Sequence, residues 1–276
     1  EAMLAYNHRW GDFGWDTSFT YSTNKNEIVE LVRNYVHPET GVIYNVDKLE
    51  LKTNEGRGFG KAKFILKEGG TLGDLYTHAD LKRDINGNVL IDDDGNVTAV
   101  DNAGDIKLGS VLPKANLAWN NSFTYKGINA GFLVTARLGG IVYSATQAYL
   151  DLYGVSETSA AARDAGGVWV NDRSQVNPQS FYSVVASQSG LPTYYTYSAT
   201  NVRLQEAHIG YTIPRRWLGN VCDINVSLVG RNLWMIYCKA PFDPEAVATT
   251  NNYYQGIDYF MMPSTRNIGF NVKINF

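Results

Sequence analysis

A strict alternation of apolar and polar side chains constrains the fold of this chain more than any other feature. In TRNIGFNVKINF, at 265–276, every second residue from Ile268 to Phe276 is apolar, and Gly, Asn and Lys stand between them. A period of two residues is typical of a β-strand with one apolar and one polar face. This stretch is therefore predicted to be a strand.

Six further stretches follow the same pattern, so the sequence predicts an all-β chain. The alternation is complete in FGWDTSFTYS, whereas NVRLQEAHIGYTIP changes phase between Leu204 and Ala207. A β-bulge near Gln205–Glu206 would restore the phase. The seven predicted strands are 1–10, 13–23, 114–125, 128–140, 201–213, 222–234 and 265–276.

The length and composition of these strands favour a transmembrane barrel. They run to about 10–13 residues, where strands of soluble proteins usually have about 5–6. At about 3.3 Å per residue and a tilt of about 40°, such strands span the apolar band of an outer membrane. Lipid requires apolar side chains outward and polar ones toward a wet lumen. The alternative is a soluble β-sandwich, which also alternates but normally uses shorter strands.

The connections between the predicted strands alternate between short and long. The short ones are 11–12, 126–127 and 215–221. The long ones are 24–113, 141–200 and 235–264. Bacterial outer-membrane barrels have short periplasmic turns and long extracellular loops, so the long connections are predicted to face outside. Such barrels close with an even number of strands, so further strands are predicted before Glu1.

The overall composition excludes several other classes of protein. Charged residues make up 18% of the 276 residues and the net charge is −3, so nucleic acid is not an expected partner. No apolar run approaches the length of a transmembrane helix. Cys222 and Cys238 are too few for a disulfide scaffold, and the predicted strand 222–234 keeps them apart. The opening EAMLAYNHRW shows neither an initiator Met nor a signal peptide, which predicts a piece of a longer chain.

Five stretches stand in a fixed order along the chain. They are LGSVLPKANLAWNNSFTYKGINAGFLVTARLGGIVYSATQAYL (108–150), VRLQEAHIGYTIPRRWL (202–218), VSLVGRNLW (226–234), FDPE (242–245) and RNIGFNVKINF (266–276). Together they resemble the C-terminal part of SusC/RagA-like TonB-dependent transporters. The resemblance covers the last half of the chain well, whereas the first hundred residues resemble the family only in general character. Ala240-Pro241 stands where the family usually has a Gly before FDPE.

This resemblance implies a fold, a location and a set of partners. The expected fold is a transmembrane antiparallel β-barrel of about 22 strands in the outer membrane of Bacteroidetes-type bacteria. Residues 1–276 are expected to supply its last seven strands, with the plug domain, the TonB-contacting segment and the N-terminal strands outside the chain. The expected function is import of oligosaccharides or peptides. A SusD-like surface lipoprotein is expected to cap the barrel, and the TonB complex to supply energy.

No catalytic, cofactor or metal site is predicted. DINGNVLIDDDGNV, at 84–97, lacks the Gly and Glu spacing of an EF-hand. It is interpreted as a hairpin that pairs Val89–Ile91 with Asn96–Ala99, while an irregular calcium site stays open. GRGFGK, at 56–61, has the wrong spacing for a phosphate-binding loop. The four His residues have no acidic or Cys neighbour in sequence that suggests a metal site.

Aromatic and amide residues cluster in the predicted long loops, in VWVND, LPTYYTY and NNYYQGIDYF. Such groups bind sugars and peptides alike, but they also pack loop against loop or face a capping partner. The alternative function is an outer-membrane adhesin or receptor whose loops bind a ligand without transport; an outer-membrane enzyme is less favoured. The candidate ligand-binding residues are Trp169, Tyr194, Tyr195, Tyr197, Tyr253 and Tyr254.

Overall fold

Seven long strands form one antiparallel sheet in which each strand pairs with the next one along the chain. The computed structural model describes residues 1–51, 61–172, 174–248 and 255–276. The sheet confirms the predicted all-β fold and all seven predicted strands. The strands are β1 (Ala2–Trp10), β2 (Phe13–Ser22), β3 (Ala115–Tyr125), β4 (Ile128–Leu138), β5 (Asn201–Ile213), β6 (Asp223–Cys238) and β7 (Asn267–Asn275).

The predicted end of β6 is too early. The strand continues to Cys238 because β5 still pairs with it there: Asn201 lies opposite Cys238 and Val202 opposite Tyr237. The alternation that marks a strand in the sequence stops at Trp234, where register shifts begin. Both cysteines are free, as predicted.

The strand register joins the apolar residues into one continuous face. Phe19 of β2 pairs with Trp119 of β3, and Trp119 pairs with Val134 of β4. Val134 pairs with Leu204 of β5, which pairs with Trp234 of β6. Directly opposite residues share a face of the sheet, so the apolar side chains of neighbouring strands lie together on one face. The aromatic members of this row are exposed.

The opposite face of the sheet is polar. Across β5 and β6, Arg231 Nε lies 3.0 Å from Glu206 Oε2. Further along the same two strands, Asn225 Nδ2 donates a hydrogen bond of 2.9 Å to Thr212 Oγ1. The sheet therefore has one apolar and one polar face, as a barrel wall requires.

The predicted phase change in β5 is a β-bulge. Leu133 of β4 pairs with Glu206, and Val134 pairs with Leu204, so the register skips Gln205. Because of this extra residue, the apolar side chains of β5 on both sides of the bulge lie on the apolar face of the sheet.

The short connections are tight turns. Lys126 and Gly127 have φ of 45° and 90°, as a two-residue type I′ hairpin requires. The third turn contains the 3₁₀ helix Arg215–Trp217. There the Arg215 guanidinium lies 2.9 Å from Asp223 Oδ2.

Thirteen shorter strands and three helices lie in the described parts of the long connections. The helices are α1 (Ala145–Leu152), α2 (Glu157–Asp164) and α3 (Pro178–Val185), and a 3₁₀ turn follows at Ser187–Ser189. The strands are Val32–Val36, Ile43–Val46, Lys48–Glu50, Ala62–Lys67, Asp74–Thr77, Asp80–Leu81, Ala99–Val100, Ile106–Ser110, Ile141–Ser144, Val168–Asn171, Ser174–Val176, Thr196–Ser198 and Ile257–Asp258.

Side-chain caps explain where the helices begin. Ser144 Oγ accepts from the Gln147 amide, and Ser156 Oγ accepts from the Ser159 amide. Asn177 caps α3, whose first residue is a proline. Caps of this kind satisfy amides that have no partner inside the helix. None of the helices in the described ranges is long and apolar enough to cross a membrane.

The three long connections share one hydrophobic core. Phe64 and Leu75 come from the first connection, Tyr143 and Phe181 from the second, and Ile257 from the third. We call this body, the described residues of 24–113, 139–200 and 239–266, the loop unit. It buries its apolar side chains internally, whereas the sheet exposes its own.

The Asp-rich stretch forms two successive turns rather than the single predicted hairpin. Ile91 pairs with Val97 as expected, but Val89 pairs with Arg83. Asp84 Oδ1 accepts from the amide of Asn88 at 2.9 Å, and Asp92 Oδ1 accepts from Asn96 at 2.7 Å. Each turn has the sequence pattern Asp-x-(Asn/Asp)-Gly-Asn-Val. In each turn the first Asp accepts the backbone hydrogen bond that closes the turn.

Candidate functional site

The second and third long connections are joined by a small three-stranded sheet. Strand Ile141–Ser144 pairs antiparallel with Thr196–Ser198 and parallel with Ile257–Asp258. Ser144 Oγ donates a hydrogen bond of 2.6 Å to Asp258 Oδ2, and the Tyr143 hydroxyl donates to the Ser189 carbonyl at 2.5 Å. Residues of both connections therefore hold fixed positions relative to each other.

Among the candidate aromatic residues, Trp169 is the one with a large exposed surface in the described residues. It lies on the hairpin of Val168–Asn171 and Ser174–Val176, and 63% of its surface is exposed. Tyr253 and Tyr254 lie outside the described residues. Ligand contact by this set stays a prediction.

The other three candidates pack inside the loop unit. The buried Tyr195 donates from its hydroxyl to Asp151 Oδ2 at 3.0 Å, and burial raises the pKa of this phenol. The rings of Tyr194 and Phe181 meet edge to face at 6.0 Å. Tyr197 and Phe242 do the same at 5.5 Å. Loop-to-loop packing, the role that the sequence also allowed, occupies these three rings.

A buried cluster around Arg203 fastens the third long connection to the strands. Arg203 Nη2 lies 2.7 Å from Asp243 Oδ1 and 3.2 Å from Glu245 Oε2. Asn201 Nδ2 also donates to Glu245 Oε1 at 3.2 Å, and the Ser264 hydroxyl donates to Asp243. Both carboxylates of FDPE are thereby held at the edge of the polar face.

The same contacts set the ionisation of Asp243. Burial raises the pKa of this carboxyl, but the hydrogen bonds from Arg203 and Ser264 outweigh burial and hold the pKa below its ordinary value. Sequence reasoning missed this cluster. The sequence features that could have indicated it are an arginine among the polar-face residues of β5 and the two acidic residues that flank Pro244.

His78 gains acidic partners that its sequence neighbours do not provide. Its Nε2 lies 3.3 Å from Glu50 Oε2, and its Nδ1 lies 3.3 Å from Asp105 Oδ1. Lys63 and Lys48 pair with the same two carboxylates, each at 2.6 Å. In the part of the chain that the structure describes, no group of three or more His, Cys, Asp and Glu side chains could hold a metal ion.

The chain is similar in sequence to two receptors of Formosa agariphila, although no family model matches it. It is 25% identical to TonB-dependent receptor P3 over 289 residues, which cover 95% of this chain and 27% of the receptor. It is 22% identical to TonB-dependent receptor P39 over 298 residues, which cover 96% of this chain and 28% of the receptor. The chain thus spans little more than a quarter of the length of either relative.

Its fold is similar to two solved structures of RagAB. The RagAB peptide importer in the "closed-closed" state matches with a TM-score of 0.64 and 16% identity, over 99% of this chain and 29% of that one. The RagAB peptide transporter matches with a TM-score of 0.64 and 15% identity, over 99% and 28%. In sequence, this chain is thus similar to about a quarter of a TonB-dependent receptor, and its fold is similar to a comparable share of RagAB.

Three of the five family-like stretches of the sequence meet at the Arg203 cluster. Arg203 belongs to 202–218, and its Nη1 lies 3.5 Å from Oδ1 of Asn232, in 226–234. Its carboxylate partners come from 242–245. The sequence relatives are TonB-dependent receptors and the structural neighbours are peptide transporters, not enzymes, in agreement with the prediction of no catalysis.

Proposed function

We propose that this chain is the C-terminal barrel portion of a SusC-like importer that moves oligosaccharides or peptides across the outer membrane. The observation that carries the proposal is the seven-stranded sheet with one apolar and one polar face. Its edge strands are β1 and β7. Unpaired edges in lipid cost several kcal/mol per backbone group, so we place the other strands of a 22-stranded barrel and its plug outside 1–276.

Each part of the molecule has a role in this proposal. The apolar face of the sheet contacts lipid, and the polar face, including Glu206 and Arg231, lines the lumen. The loop unit forms the outer vestibule, over which a SusD-like lipoprotein closes. Energy reaches the barrel from the TonB complex through segments outside this chain.

The substrate class within the proposal is a peptide or an oligosaccharide. RagAB, whose fold the chain shares, is described as a peptide importer. The exposed Trp169 and the amides beside it suit a sugar ring as well as a peptide.

Uptake in the native bacterium tests the proposal. We expect deletion of the gene to abolish uptake of labelled peptides or of labelled oligosaccharides, and the intact gene to restore it. Loss of TonB should have the same effect as the deletion. Unchanged uptake of both substrate classes in the deletion strain would overturn the importer function.

An adhesin or receptor without transport is the second candidate, because the loop unit has its own core and presents a fixed surface. For such a protein, ligand would bind to intact cells equally with and without TonB, and none would enter. The uptake experiment therefore separates the two functions.

The orientation of the barrel can be tested with two matched tryptophans. Trp169 lies in the loop unit and Trp217 lies in a short turn, and they are 63% and 61% exposed. In a background with both native cysteines replaced by Ser, Trp169→Cys on intact cells should react with a membrane-impermeant maleimide, and Trp217→Cys should not. The reverse pattern would invert the topology.

A further inference from the structure

A cleft of about 510 Å³ opens between the three helices of the loop unit. Its lining includes Asp151 and Tyr153 near the end of α1, Arg163 on α2, and Gln179 and Tyr182 on α3. The volume is within the range of about 300–1,000 Å³ that is usual for small-molecule sites. None of the four aromatic candidates that the structure describes lines it, so it is separate from those residues.

A carboxylate without a counter-charge lines the cleft. Asp151 is 4% exposed. Its Oδ1 accepts from Gln147 Nε2 at 3.2 Å and from the Ser156 hydroxyl, and its Oδ2 accepts from the Tyr195 hydroxyl at 3.0 Å. All three donors are neutral, and the described residues place no cationic side chain in an ion pair with it.

This arrangement favours a cation in the cleft. A carboxylate has about four acceptor positions, so Asp151 can accept one more donor, on Oδ2. A buried charge is costly unless an opposite charge pairs with it. A ligand with an ammonium group would supply both the missing donor and the missing charge.

A second polar group of the lining has no hydrogen-bond partner among the described residues. Tyr182 is 8% exposed, and its hydroxyl makes no hydrogen bond to any residue that the structure describes. Burial, and then the charge of Asp151, raise the pKa of this phenol, so the hydroxyl stays protonated and can donate. A ligand carbonyl in the cleft would accept a hydrogen bond from this hydroxyl.

We propose that this cleft binds the amino terminus of a short peptide. The ammonium group pairs with Asp151, and the first peptide carbonyl accepts from the Tyr182 hydroxyl. The exposed ring of Tyr153 and the guanidinium of Arg163 stand at the opening, where the rest of the peptide leaves. As a substrate-recognition element the cleft rests on the proposed importer function, whereas the binding itself does not.

Calorimetric titration of the full-length protein in detergent tests the inference. The probes are trialanine and N-acetyl-trialanine at pH 6.5. We expect acetylation to weaken binding by about tenfold or more, because it removes the charge that pairs with Asp151. Trialanine binding should also weaken above about pH 8, where a free α-amino group loses its proton.

Two substitutions locate the binding in the cleft. Tyr182→Phe should weaken trialanine binding by about two- to tenfold, and it leaves the fold intact because the hydroxyl has no partner to lose. Tyr149→Phe, on α1 but outside the lining, is the matched control and should change nothing. Asp151→Asn should abolish the difference between the two peptides. Because Asp151 also holds three neighbours, Tyr182→Phe decides the question if Asp151→Asn disturbs the fold.

Equal affinity for both peptides, or unchanged affinity in Tyr182→Phe, would overturn the inference. Uptake of trialanine by cells, measured in parallel, separates this outcome from failure of the importer function. Uptake of trialanine without binding in the cleft would overturn only the inference about the cleft. Binding without uptake would overturn only the importer function.

Discussion

The sheet and the loop unit treat the same kind of side chain in opposite ways. Phe270, on β7, is 81% exposed, whereas Phe64, in the loop unit, is 0% exposed. All nine residues of β7 are exposed, but the strand that contains Phe64 is largely buried. One chain therefore contains a part suited to lipid and a part suited to water.

The difference shows what stabilises each part. In the loop unit, burial of apolar surface away from water supplies the favourable free energy. The sheet gains little of this by itself. Its strands are held by their hydrogen-bond ladders and, in the proposed outer-membrane location, by lipid on the apolar face. Truncation of an apolar side chain should therefore cost more stability in the loop unit than in the sheet, whereas the apolar face of the sheet should be sensitive to a new charge.

Truncation of a core phenylalanine should give the largest effect. Phe64→Ala should destabilise the loop unit by about 3–5 kcal/mol, because it removes a buried ring and leaves a cavity. Limited proteolysis of the purified protein should then cut the loop unit, while heat-modifiable migration on gels still reports an assembled barrel. Phe270→Ala is the control and should leave the loop unit resistant. Equal protease sensitivity of the two variants would contradict the division into two parts.

A charge on the apolar face should give the next largest effect. Leu228→Lys should destabilise the barrel by about 2–4 kcal/mol if the site lies near the middle of the bilayer. Ser227→Lys, one residue away on the polar face, should cost much less. Denaturant unfolding in lipid vesicles measures both. A larger cost for Ser227→Lys would mean that the faces are assigned the wrong way round.

Acid should loosen the junction between the two parts. The pKa of Asp243 is lowered in the folded protein, so its ion pair with Arg203 stabilises the fold above about pH 4. That contribution, about 1.5–3 kcal/mol, is lost as the pH falls through the folded pKa. Thermal unfolding at a series of pH values should show the loss in the native protein. Asp243→Asn should be less stable at pH 7 and should lack this step.

The smallest effect is expected at a short turn. The pair of Arg215 and Asp223 is largely exposed, so Arg215→Ala should cost no more than about 1 kcal/mol. Denaturant unfolding measures this, and high salt should reduce the difference from the native protein. A cost as large as that of Phe64→Ala would mean that this turn is part of a buried contact in the full barrel.

Much of the sheet could be predicted from the sequence, because the two-residue period that marks each strand is local information. The alternation around Phe19, Trp119 and Val134 places each strand, and the tight turns set the pairing within the three hairpins, such as β3 with β4. Even the bulge at Gln205 was visible as a change of phase. The continuation of β6 was missed because its last residues, Met235 to Tyr237, are all apolar and carry no alternation.

The sequence by itself determined the seven strands, their two faces and the positions of the long connections, because a two-residue period specifies the direction of each side chain. Only the tertiary structure decided what the connections do. Arg203 meets Asp243, and Asp151 meets Tyr195, across stretches of chain that carry no shared local pattern. Contacts of this kind form because distant segments bury apolar surface together, and no local period records which segments those are.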